Sequence, residues 1–447
     1  MNAVDFNRRK FVLGSASLLS SGLVACKLLG QDPPPVTDPR ATSGDDTYEP
    51  NWDEQLTLTV GTQKADLVGT NERVIQAAVD YVARLGGGTV KILPGTYHFR
   101  NSVYLASGVR IVGSGPESIL LKEPSIKKAI SADSDWYDQE ITLQDAEGFR
   151  VGDGVCLQTK NPHNSGTDVL KRTLVAQNGN RFKLDKALRK NYWLSGEPTC
   201  ASLFPLFSGE FVEHITLENI TFDGNLKNNE NLNGNYGGCI WLQDCRRISM
   251  RNLETRNYNG DGISWQICHD VLVENCHSHD NGDLGLHPGS GSQRPVMIGN
   301  KLERNGIGIF WCWGVKYGLA ENNQIHDTTL YGISIGHNDT DNVMRNNLIT
   351  GSGRVGILFR DDCRGKDFWA NRNRIENNQV IDSGGPEGVA IDVQGETKDV
   401  SIANNEIRET REPQQRIGIR LSALSESITL KDNRIEGFAT PLQQIEG

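Results

Sequence analysis

An aliphatic residue returns at nearly constant spacing through the second half of the chain: Ile240, Ile263, Leu286, Ile309, Ile333, Ile357, Ile391 and Ile419. The first three intervals are 23 residues, the next two 24, and the last two 34 and 28. Around each position the side chains alternate with a period of two, which is a strand period; a helical repeat would run at 3.6. A unit this short has one apolar face and nothing of its own to cover it. Stacking the units at about 4.8 Å buries one continuous apolar column and pairs every strand with the rung above and below. The two long intervals are then coils carrying insertions. Leucine-rich repeats have a similar length but need an L-x-x-L-x-L frame, which is absent.

A second column follows about a dozen residues later: Asn252, Asn275, Asn300, Asn322, Asn346, Asn377 and Asn404. Its spacing predicts an asparagine ladder in a turn, each amide bonding the next, as in cross-β stacks. The expected fold is all-β, a single-stranded right-handed parallel β-helix. A solenoid needs its ends capped. Glu72 to Arg84 reads as an amphipathic helix with Val74, Ile75, Ala78, Val79 and Val82 on one face, capped by Asn71 and ended by Gly86-Gly87-Gly88. Short strands follow, in Thr89-Val90-Lys91-Ile92-Leu93-Pro94-Gly95-Thr96-Tyr97 and in Val109-Arg110-Ile111-Val112-Gly113.

The stretch from Arg73 to Lys122, with its helix, GGGTVKILPGTY and VRIVGSG, resembles the start of the pectate-lyase-like superfamily. With the coils, the resemblance covers most of residues 60–440. It implies a fold used by pectate lyases, polygalacturonases, rhamnogalacturonases, alginate epimerases and phage tailspikes. It does not select a reaction. Residues 124–210 break the coil rhythm and read as an inserted β module or decorated loops. Gly148–Val155 and Asn178–Leu184 look like strand–turn–strand pieces there. Coils resume near Ile215.

The N-terminus reads as an export signal. Asn7-Arg8-Arg9-Lys10-Phe11-Val12-Leu13 looks like a twin-arginine motif, and Leu23-Val24-Ala25-Cys26 resembles a bacterial lipobox. Residues 1–26 are expected to be the signal, Cys26 the lipidated residue, and residues 27–55 a tether. The body, 56–447, would then be a monomer anchored by lipid and facing the periplasm or cell surface. Formal net charge is −10 and the Lys and Arg are scattered, which argues against nucleic acid as a partner. The eight cysteines other than Cys26 show no zinc spacing and read as small core residues. Cys245 and Cys268 fall on neighbouring rungs, where a disulfide or a thiol stack would fit.

Alternation along the strands assigns an outward face. It holds Trp241, Gln243, Gln266, Phe310, Trp313 and His337 as candidate sugar contacts, because large aromatics facing outward need a reason. Trp265, Trp311 and Phe359 fall inward. The chemistry-bearing candidates on this face are His287, Arg360, Asp361, Asp362 and Asp392. Two carboxylates on adjacent rungs would suit glycoside hydrolysis, which needs a pair roughly 5–10 Å apart. His287 and Arg360 would then bind substrate.

His287 follows a Gly260-Asp261-Gly262 coil in a placement similar to the Asp-Asp and Gly-His-Gly coils of polygalacturonases. The letters differ, so that mechanism does not carry over. A lyase or epimerase acting on uronates would instead use Arg360 or His287 against the carboxyl group, and a non-catalytic carbohydrate-binding solenoid is the third reading. No cofactor is required. Calcium is the one ion the oxygen-rich loops would suit, with Asp339 and Asp341 as the nearest ligands. His277 and His279 have no third ligand at metal spacing and are set aside. The reading leans to a hydrolase acting on a polysaccharide.

Overall fold

The computed structural model describes residues 55–161, 163–164, 166–412 and 415–445. The export motif, Cys26 and nearly all of the tether lie outside these residues. The described chain winds into a parallel β-helix of three ladders. The first ladder contains Val103–Tyr104, Phe207–Glu210, Ile240–Gln243, Ile263–Gln266 and Leu284–Pro288, and continues through Ile307–Phe310, Tyr331–Ile335, Val355–Phe359, Val389–Val393, Ile417–Leu421 and Thr440–Gln444. Its register joins Ile240 to Ile263 to Leu286 to Ile309 to Ile333 to Ile357 to Ile391 to Ile419, as the spacing predicts. The second and third ladders run through three-residue strands such as Val343–Arg345 and Leu348–Thr350. All three ladders pair in parallel. The aliphatic column is fully buried, with Trp265, Trp311 and Phe359 packed in the same core.

The asparagine ladder lies one residue further on than the spacing predicts. Asn252, Asn275, Asn322, Asn346, Asn377 and Asn404 have left-handed backbone, with φ between 52° and 56°. Asparagine tolerates that conformation better than most residues. The amides that stack belong to the next position. The Nδ2 of Asn300, Asn323, Asn347, Asn378 and Asn405 each donates to the Oδ1 of the following member at 2.9–3.0 Å, ending on Asn433. Only Asn300 of the predicted column belongs to the stack. The frequent Asn-Asn pairs thus divide two tasks, a corner and a buried bond.

The single α-helix among the described residues, Glu72–Arg84, caps the solenoid. Asn71 Oδ1 accepts the Arg73 amide at 3.1 Å, and Ile75, Ala78, Val79 and Val82 join the core. A side chain at Gly88 has no room, since its Cβ would meet the Leu56 carbonyl oxygen at 2.5 Å.

Residues 127–201 form a separate antiparallel sheet of six strands with its own core, including Leu143, Leu157, Leu174 and Phe182. Asn178 and Arg181 pair across a two-residue turn, as expected of a hairpin. The 148–155 piece is instead a turn leading into one strand, Gly154–Lys160. Asp153 holds that turn by accepting the Arg150 amide at 2.8 Å. The eight described cysteines are thiols; Cys245 and Cys268 stack, the Cys245 amide donating to Cys268 Sγ at 3.4 Å.

Candidate functional site

The first ladder presents Tyr104, Ser208, Trp241, Ser264, His287, Phe310, Ser334, Leu358, Asp392 and Arg420 as successive outward residues. The middle of this row opens into a pocket of about 490 Å³ lined by His287, Asp261, Asp283, Phe310, Cys312 and Asn231, among others. His287 is 3% exposed. Its Nδ1 lies 2.7 Å from Oδ2 of buried Asp261, with Ser264 Oγ at 3.4 Å on the same side. The Ser264 hydroxyl donates to the Gly234 carbonyl, and the Leu284 amide donates to the other oxygen of Asp261 at 3.2 Å. Gly234 lies so close that a Cβ there would meet Asp261 Oδ2 at 1.7 Å. The loop at Gly234 therefore seals the carboxylate from water.

These contacts set the charge of the site. Burial works against a charged His287 ring, but the bond to Asp261, with Cys312 adding to it, outweighs burial and holds the imidazole up at about 9. Burial also pushes Asp261 above the usual carboxylate range, with His287 opposing it. His287 Nε2 is buried and has no hydrogen-bond partner among the described residues. Buried ring nitrogens are normally satisfied. An imidazolium fixed at Nδ1 and unpaired at Nε2 places a cation in the lining of the pocket, suited to an anionic group. Phe310 meets the ring edge-to-face at 5.3 Å.

A family model described as right handed beta helix region matches residues 209–368. The winding is right-handed. The A-module of mannuronan C-5 epimerase AlgE4 from Azotobacter vinelandii is 16% identical, with 87% of this chain and 100% of that chain covered at a TM-score of 0.53. The surface protein and adhesin PfbA of Streptococcus pneumoniae is 12% identical, with 88% and 100% covered at a TM-score of 0.52. A comparison with curated protein sequences finds no significant match. At these identities the likeness is one of fold.

The other predicted residues fall into distinct settings. Trp241 is not an open platform. It is 3% exposed, and Lys171 of the inserted sheet sits with Nζ 2.9 Å from the ring centroid. Burial pulls Lys171 down to about 7. Gln266 is buried, donating to Ser264 Oγ at 3.2 Å and accepting the Ser290 amide at 2.9 Å. Gln243 is half-buried and bonds Asp244 at 3.2 Å.

Arg360 lies over Phe310 at 4.4 Å and donates to Ser334 Oγ and the Trp311 carbonyl at 2.9 and 3.0 Å. It reaches the pocket wall but not His287 directly. Trp313 is 43% exposed, meets His337 edge-to-face at 5.0 Å and has Arg364 over its ring at 5.0 Å. The His337 ring also packs on exposed Phe368, so an aromatic group continues the face beyond Cys312.

The three carboxylates considered for hydrolysis have different surroundings, with Gln394 between two of them, bonded to the Asp392 carboxylate and accepting the Asp361 amide at 3.4 Å. Asp392 is buried, with both oxygens held by Arg420 at 2.9 and 2.5 Å and a further bond from Gln394 at 2.7 Å. It is the buried member of an ion pair, and three of its four lone-pair sites are taken. Asp361 is exposed, and Asp362 is paired with Arg364 at 3.3 Å. The calcium candidates are also committed elsewhere. Asp339 accepts the Val315 and Gly336 amides at 2.9 Å, and Asp341 takes a two-pronged bond from Arg372 at 2.8 Å.

Asp261 stands on the coil before His287, as the sequence places it, but its bond to the ring is visible only in the structure, as are Asp283 and Cys312 as pocket residues. The available signal was an acidic residue just before the strand that precedes the histidine strand.

Proposed function

We propose that this chain is a carbohydrate-active enzyme of the cell envelope that removes the proton beside the carboxyl group of a uronate-containing polysaccharide. The observation that carries the reading is His287, buried in the pocket lining, bonded through Nδ1 to Asp261 and without a hydrogen-bond partner at Nε2. In that step the C5–H bond breaks and its electron pair moves into the carboxyl group, building charge that a positioned cation stabilises. His287 supplies the cation. Asp283 lines the same pocket, bonded to Asn231 at 2.8 Å, and is the base that takes the proton. Elimination follows if the C4–O bond then breaks, its electrons leaving with the oxygen while C4 and C5 form a double bond. Epimerisation follows if a water on the opposite face of the sugar instead gives C5 a proton, the proton taken by Asp283 then passing to solvent. Arg360 supports the pocket wall, and Trp313 with its aromatic neighbours is the platform for the polymer beyond it.

The burial of Asp392 in an ion pair with Arg420 moves the reading away from two-carboxylate hydrolysis. Mannuronan, the polymer for which one structural neighbour is named, is a first substrate to try. In this reading the protein is exported, held to the membrane through a lipid on Cys26, works as a monomer and requires no cofactor.

The test is incubation with acidic and neutral polysaccharides, with and without calcium. It follows unsaturated uronate by ultraviolet absorbance, inverted C5 centres by proton NMR, and new reducing ends. Either of the first two signals is expected, reduced about 10²–10⁴-fold by His287→Gln. Reducing ends without absorbance would replace the reading with a hydrolase. Binding without turnover would leave a carbohydrate-binding solenoid.

A further inference from the structure

On the third ladder, three successive rungs bring metal-ligand side chains to one spot. The strand His277–His279 places its two histidines on one face, and the ladder aligns Glu254 with His277 and Glu303 with His279. The imidazoles stack with centroids 4.1 Å apart. One ligand atom from each of Glu254, His277 and His279 lies within 4.8 Å of the others. Two imidazoles and a carboxylate around one point are a ligand set that suits zinc and its neighbours in the first transition row.

A second feature is independent of this clustering. A histidine that ligates a metal usually donates its other ring N–H to a carboxylate, which fixes the tautomer. Both rings have that partner. His279 Nδ1 lies 2.6 Å from Asp280, which leaves Nε2 facing Glu254 at 3.1 Å. His277 Nε2 lies 2.8 Å from Glu303, which leaves Nδ1. Glu254 is oriented in turn, its Oε2 accepting the Thr221 hydroxyl at 2.9 Å. The three side chains are half-buried or nearly buried, so a water would complete the coordination. One competitor is present: Arg256 donates to Glu254 Oε1 at 3.1 Å.

We propose that Glu254, His277 and His279 bind a borderline transition-metal dication, with zinc as the reference ion, and that the ion staples two neighbouring rungs. The third ligand is invisible in sequence because it comes from the rung before. This site lies on a different ladder from the His287 pocket and does not depend on the function proposed for that pocket.

The test is titration of untagged protein with zinc by calorimetry and with cobalt by visible absorption. One equivalent is expected, with the ligand-field bands of a four-coordinate cobalt site and a rise in Tm on adding zinc. His279→Ala and the isosteric Glu254→Gln should abolish the Tm rise, and circular dichroism checks that both variants fold. Asp280→Asn should weaken binding about 10–100-fold. Arg256→Leu should tighten it by releasing Glu254. Absence of saturable zinc binding overturns the proposal. Binding that survives both His279→Ala and Glu254→Gln overturns it equally.

Discussion

His287 stands under two opposing demands. Burial disfavours the charged ring, and the bond to Asp261 favours it; the bond wins, and the ring holds its proton up to about 9. Asp261 is also shifted upward, by burial. Both shifts mean that the folded chain binds protons more tightly than the unfolded one, so the pair makes stability fall as pH rises. For His287 the contribution is fully present below its unfolded value near 6.5 and is lost as pH rises through about 9. Urea midpoints measured between pH 6 and 10 should therefore decline over this window, and the decline should flatten in His287→Gln. If turnover uses the imidazolium, its alkaline limb should fall in the same window. In Asp261→Asn that limb should move to lower pH. Unchanged limbs in that variant would mean that another group sets the alkaline side.

At the scale of the element, the Asn-Asn corner sets two neighbouring residues in opposite circumstances. Asn347 is buried. Its Oδ1 accepts from the Asn323 amide and side chain at 3.0 and 2.9 Å, and its Nδ2 donates to the Ala320 carbonyl at 3.0 Å. Asn346, beside it, is exposed with φ of 56°. Asn347→Ala should cost about 3 kcal/mol, because each buried polar group left without a partner costs about 1–3 kcal/mol. Asn346→Gly should be close to neutral, since glycine takes the left-handed conformation without strain. Equal losses in urea denaturation would sink the distinction between corner and ladder.

The same corner shows what sequence could convey. The Ile240-to-Ile419 column was legible because one rung has a nearly fixed residue count, so stacking in space becomes periodicity in sequence. The asparagine assignment slipped by one because both positions of the pair repeat with that period, and only hydrogen bonding separates them. The candidate site was less legible. His287 could be placed on the outward face from its column. Asp261 sits 26 residues before it, outside the 23-residue step of that column. Asp392 looked free because Arg420, its partner, is one long coil away. Trp241 looked exposed because Lys171, which covers it, belongs to an inserted sheet with no periodic relation to the coils.

At the scale of the molecule, two apolar cores lie side by side, one running through the coils and one inside the 127–201 sheet. A solenoid is held together by nearest-neighbour contacts between rungs, so an attached sheet with its own core can open while the rungs stay paired. The contacts between them include polar ones. Arg100, beside the first coils, grips buried Asp153 of the sheet through Nε and Nη2 at 2.8 and 2.7 Å, and Lys171 sits over Trp241. Removing Asp153 leaves the partly buried Arg100 guanidinium and the Arg150 amide without their acceptor, at about 1–3 kcal/mol for each group left unpaired. Asp153→Ala should therefore loosen the sheet locally. Amide hydrogen exchange at strands such as Gly154–Lys160 and Arg181–Leu184 should speed up by two or more orders of magnitude, since each 1.4 kcal/mol is about tenfold. The rungs around Ile333 should keep their protection, and the sheet should become the first target of a protease. If protection fell equally at Ile333, sheet and solenoid would unfold as one unit, and the inserted sheet would be part of the frame that holds the His287 pocket in shape.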